Sequence, residues 1–93
     1  MSKAISVRDR VEKILGELPE IRQDHARKVV KRFSENKRIQ AAEVLVDASA
    51  KGPVKFAEAS SVLQNIVLQN PSDQKFRWLY DELQLEPSGA ERS

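Results

Sequence analysis

Apolar residues recur at helical spacing along most of the chain, and the recurrence stops only where a proline, a glycine or a polar turn interrupts it. The clearest instance runs from Phe56 to Leu85. Phe56, Ala59, Val62, Leu63, Ile66 and Val67 share one face of a period of about 3.6 residues, so that face must pack on something. Asn70 can adopt the left-handed conformation that ends a helix, and Pro71 lacks both the amide hydrogen and the φ freedom to continue one. Ser72 and Asp73 then offer side-chain oxygens to the amides of a new first turn, and Phe76, Leu79, Tyr80 and Leu83 form its apolar stripe. The stretch is expected to form an αα-hairpin.

The residues before it divide in the same way. Ser6 with Asp9 has the pattern of a capping box, and Val7, Val11, Ile14, Leu15 and Leu18 form an apolar seam that ends at Pro19. Pro19 suits the first position of a second helix, in which Ile21, Ala26, Val29, Val30 and Phe33 are expected inward before a turn at Ser34-Glu35-Asn36. A third helix is expected from about Lys37 to Ala50, with Ile39, Ala42, Leu45, Val46 and Ser49 inward. Its alanines allow close approach of neighbours, which suits a central place in a bundle. Lys51-Gly52-Pro53 ends it. Residues 86–93 have no periodicity and little to bury, so they are expected to form a disordered tail after a single domain over residues 1–85. No motif recurs at a fixed period.

At 93 residues with no cysteine, the chain must hold together by one apolar core, without disulfides or thiolate metal sites. The absence of cysteine fits a reducing compartment and does not demand an oxidising one. Apolar runs such as Val44-Leu45-Val46 fall far short of the roughly 20 residues needed to span a bilayer. The first residues show neither a signal peptide nor a presequence, so the expected location is intracellular, cytoplasmic or nuclear, with no membrane partner. β-branched residues do not alternate with polar ones over any long window, and the fold class expected is all-α: a compact bundle of four to five short helices ending in the αα-hairpin.

Chemistry-bearing residues are sparse. His25 is the only histidine, and no cysteine or ordered acid cluster joins it as a metal or triad partner. The carboxylates are dispersed along the helices, so no acid-base pair is expected and the chain is read as neither an enzyme nor a cofactor binder. The strongest electrostatic feature is a basic face of Arg27, Lys28, Lys31, Arg32, Lys37 and Arg38. Three readings of it stand: a solvated face, a phosphate contact that would make the protein a small nucleic-acid-binding factor, and a surface for an acidic protein partner. Trp78 is set off from the stripe of its own helix. Either that helix is buried on a wide face, or Trp78 projects as an anchor for a partner.

The segment from Ile66 to Arg77, with its Asn70-Pro71-Ser72-Asp73 followed by Lys75-Phe76-Arg77, resembles the PUB domain of peptide:N-glycanase and of UBX and ubiquitin-ligase proteins. Phe56-Ala57-Glu58-Ala59-Ser60 is similar to a Phe-x-Glu-Ala-Ser stretch in the same family. The likeness covers Phe56 to Arg77 only. It implies a non-catalytic adaptor that binds short C-terminal peptide tails, with Lys75 and Phe76 matching the basic residue and the aromatic that hold the tail. In the family a small sheet follows this hairpin, whereas three helices precede it here.

The expected function is therefore protein-protein interaction through a surface carrying Lys75, Phe76 and Trp78, with the basic face drawing in an acidic segment. Nucleic-acid binding by the Arg27 to Arg38 face is the alternative, and a homodimer formed by pairing incomplete helical cores is a third arrangement.

Overall fold

Each helix starts and stops where the local chemistry requires. The computed structural model describes residues 6–86, and among them there are five α-helices and no strand: α1 (Val7–Leu15), α2 (Glu20–Lys31), α3 (Glu35–Ala50), α4 (Pro53–Ile66), continued by a 3₁₀ turn (Val67–Gln69), and α5 (Asp73–Leu83). The disordered tail expected over residues 86–93 lies outside the described residues except for Glu86. Ser6 caps α1 by accepting from the Asp9 amide, and Ser72 caps α5 by accepting from the Lys75 amide, each covering an amide that the helix leaves unbonded. Asn70 is left-handed at φ 48°, as a helix stop before Pro71 requires. Gly52, at φ 125° and ψ 172°, ends α3 and places Pro53 at the start of α4, in a region of backbone space that side chains strongly disfavour.

Several boundaries differ from the sequence expectation: α1 ends at Leu15 rather than reaching Leu18, and α2 ends at Lys31 rather than at Phe33. Pro19 stands just before α2 rather than as its first residue, with an extended ψ of 143°. α3 begins at Glu35, because Ser34 is itself extended and serves as the N-cap, so the Ser34-Glu35-Asn36 turn is shorter than expected.

The helices are arranged around α3. It packs against each of the other four, and Ala41, Ala42, Val44, Leu45, Val46, Asp47 and Ala48 are all buried, which wraps the burial around its whole circumference. A helix enclosed in this way needs small residues where neighbours come closest, and the alanines supply them. Leu15, Leu45, Leu63 and Leu79 are fully buried, each contributing about 1.5–3 kcal/mol relative to exposure. α5 is fixed mainly to α3: Tyr80 donates to buried Asp47 at 2.6 Å, while Lys37 and Gln40 donate to the Asp73 carboxylate at 2.6 and 2.7 Å. Phe76 meets Phe33 with ring centroids 5.7 Å apart. α4 and α5 are consecutive across the Asn70-Pro71 break, and α3 is the support they share.

The inward face of α2 departs from the apolar pattern. Ile21 is 88% exposed, although it was expected on the inner stripe. It precedes Ala26 by five residues, a step that leaves the face defined by Ala26, Val29 and Val30. Arg22 occupies the inward position instead. Its guanidinium lies 5.6 Å from the Phe56 ring centroid and donates to Ser49 on α3.

Candidate functional site

The three residues expected to meet a partner are separated by the turn of α5. Phe76 is 3% exposed against Phe33, so it is a core residue, a correction to its expected place on the binding surface. Phe76 shares its face with Leu79 and Leu83, which seal against α3 and α4. Trp78, two residues on, is rotated off that stripe and is 57% exposed, so α5 is not buried on a face wide enough to include it. Lys75 lies on the flank, with its ammonium 3.5 Å from Glu82. Arg77, Asp81 and Glu82 are exposed beside them. The outer surface of α5 is thus one large indole among charges of both signs.

Three residues of the six-residue basic face are drawn into contacts within the chain. Arg27 is drawn across to α1, where its Nε lies 3.0 Å from Glu12, and it also reaches Asp24 at 3.1 Å. The Glu12 hydrogen bond, followed by the charges of Glu12 and Asp24, raises the Arg27 pKa further above its usual range. Lys37 is committed to Asp73, and that hydrogen bond, with one from Gln40, holds the Asp73 carboxyl below its ordinary value. Arg38 turns back to donate to the Phe33 and Lys31 carbonyls, covering acceptors that the end of α2 leaves unpaired. Lys28, Lys31 and Arg32 remain exposed and enter none of the ion pairs among the described residues.

A second polar cluster joins α2 to α4. His25 Nε2 and Ser60 Oγ are hydrogen-bonded at 2.6 Å, Gln64 donates to the same Oγ at 3.1 Å, and the His25 ring meets Phe56 edge-on at 6.0 Å. Ser60 lies inside α4, where the neighbouring backbone N–H groups are spent on helix bonds, so they cannot converge on an oxyanion. The geometry makes this pair a clasp between two helices. No group of three or more histidines or acids among the described residues could hold a metal ion, and no described helix is long and apolar enough to cross a membrane.

The remaining exposed apolar side chains were not singled out from the sequence. Val54 is 83% exposed and Leu68 is 90% exposed, at opposite ends of α4 and its 3₁₀ extension. A signal for this face was present: no Asp, Glu, Lys or Arg occurs between Glu58 and Asp73, in a chain of which 32% is charged. Apolar periodicity hides that signal, because it locates the buried side of a helix and ignores the other.

With the architecture in place, the class is a small all-α bundle. The chain matches no protein-family model, no curated protein and no solved structure.

Proposed function

We propose that the protein is a non-catalytic protein-recognition module whose α5 surface, centred on Trp78, grips a protein or peptide partner. The observation that carries this reading is the exposure of Trp78 on a helix whose apolar stripe is otherwise sealed into the core. An indole left in water contributes little to the fold, yet it offers a large rigid contact area of the kind that dominates interface energies. Lys75, Arg77, Asp81 and Glu82 surround it with charges of both signs, which suit a polar rim that fixes register. The PUB resemblance supports the same class of function. Of the two residues it implicates, only Lys75 is at the surface.

The test is capture from lysate by the wild-type chain beside Trp78→Ala. The variant is expected to keep its helical circular dichroism and to lose specific partners, with an affinity drop of about 30-fold or more if Trp78 is a hot spot of about 2 kcal/mol. Equal capture by both proteins would sink the proposal.

Lys28, Lys31 and Arg32, contiguous and exposed, favour nucleic acid as the second reading. Three phosphate contacts would give a slope of log K against log salt of about −2.7. Binding that ignores salt, or survives reversal of those three charges, removes this option.

A further inference from the structure

The outer face of α4 carries a feature that the Trp78 reading does not use. Val54, Ala57, Ser61, Gln64 and Leu68 are all exposed, and their spacing alternates three and four residues, as in the seam of a coiled coil. None is charged. From Val54 to Ser61, seven steps of about 100° fall about 20° short of two turns. From Ser61 to Leu68, the tighter 3₁₀ turn over Val67–Gln69 raises the last two steps to about 120°, an overshoot of about 20°. The two deviations cancel, so Val54 and Leu68 stand on one line with Ser61 midway.

We infer that this face pairs with a second copy of the same chain, α4 against α4 in antiparallel, about a two-fold axis passing through Ser61. The reason is self-complementarity. Reversal about Ser61 sets Val54 against the partner's Leu68, Leu68 against the partner's Val54, and Ala57 against the partner's Asn65. The nearest charge, exposed Glu58, is set by this reversal against the partner's uncharged Gln64 rather than against its own copy, and no residue from Ala59 to Ser72 is charged. A depression of about 330 Å³ on the α2 flank of this face is lined by His25, Ala57, Ser60, Ser61, Gln64 and Asn65. Ala57 and Ser61 are small, which lets helices that cross near Ser61 approach closely. With a net charge of only +2 per chain, long-range repulsion between copies is slight.

The contact is short. Val54 to Leu68 spans about 21 Å, and a single helix strip of that length falls well below the roughly 800 Å² per partner of a standard interface. The association is therefore weak and concentration-dependent.

Sedimentation velocity of the full chain from about 20 μM to about 1 mM, the range in which so small an interface would form, is the test. The average mass of the wild type is expected to rise from 10.5 kDa toward twice that value. Ser61→Glu and Ser61→Lys, at an exposed position whose fold is checked by circular dichroism, are each expected to stay monomeric, and an equimolar mixture of the two is expected to dimerise. Cysteine pairs give a second readout, since the chain has no cysteine of its own. Ser61→Cys alone is expected to cross-link on mild oxidation, as is Val54→Cys mixed with Leu68→Cys, but not Val54→Cys alone. A wild type that stays monomeric throughout overturns the inference and leaves the face to a foreign partner. A dimer that survives Ser61→Glu also overturns it, as does one lost with Trp78→Ala instead, which would place the contact on α5. Because Trp78 lies on another helix, the two proposals fail separately.

Discussion

α3 and α4 are neighbours in the chain and similar in length, yet they relate to water in opposite ways. α3 is buried around its circumference and has polar groups such as Asp47 tied inside the bundle. α4 buries Phe56, Ala59, Ser60, Leu63 and Ile66 on one side and leaves Val54, Ala57, Ser61 and Gln64 in solvent on the other. The difference teaches that charge alone does not tell an inner helix from an outer one. α3 holds Glu35, Lys37, Arg38, Glu43 and Asp47 and is still enclosed, with buried Asp47 meeting Tyr80. On α4 no residue after Glu58 is charged, yet Ser61, Gln64 and Asn65 stay exposed, and depletion of charge is what the cores of interfaces have in common.

Substitutions should separate the two helices. The largest effect is expected from Leu45→Ala on α3: the side chain is fully buried, and the cavity costs about 2–5 kcal/mol. For a domain of this size that lowers Tm by about 10 °C or more, measurable by thermal circular dichroism. A loss no larger than that of a surface change would mean that α3 is not the centre. Tyr80→Phe should come next, since it removes a 2.6 Å hydrogen bond to buried Asp47 while keeping the ring, at a cost of about 1–3 kcal/mol in urea unfolding. An unchanged midpoint would show that the remaining contacts of Asp47 suffice.

Asp73→Asn probes the tie between α5 and the start of α3 through pH. Lys37 and Gln40 lower the folded-state pKa of Asp73 from its ordinary 3.8, so the stabilisation is fully present above that value and is lost as pH falls through the lowered one. Wild type is therefore expected to exceed Asp73→Asn in stability at neutral pH, with the difference shrinking as pH falls past 3.8 and vanishing only once it is below the lowered folded-state pKa. The effect is small because the carboxylate is largely exposed. A difference that persists in acid would assign it to something other than charge. The smallest effect belongs to α4: Ser61→Glu should change unfolding by no more than about 0.5 kcal/mol, in contrast to its effect on association.

The contrast between the helices also shows what was legible beforehand. The alanines of α3 pointed to a central place, which the fold bears out, whereas the outer face of α4 went unremarked because apolar periodicity reports only the side that packs. Phe76 and Trp78 illustrate the same limit. Adjacent in any list of aromatics, they are rotated apart by about 200° on the helix, and the stripe that buries Phe76 turns Trp78 outward.

The sequence by itself determined where helices begin and end, through Ser6, Gly52-Pro53, Asn70-Pro71 and Ser72, because capping and φ restrictions act within a few residues. Only the tertiary structure decided what each face meets. Arg22 rather than Ile21 turns inward because Phe56 and Ser49 are there to receive it. Arg27, Lys37 and Arg38 are half-buried and tied within the chain because Glu12, Asp73 and the carbonyls of Phe33 and Lys31 come within reach. Periodicity fixes which residues share a side, and long-range packing alone supplies the partners that turn a side into core, clasp or open surface.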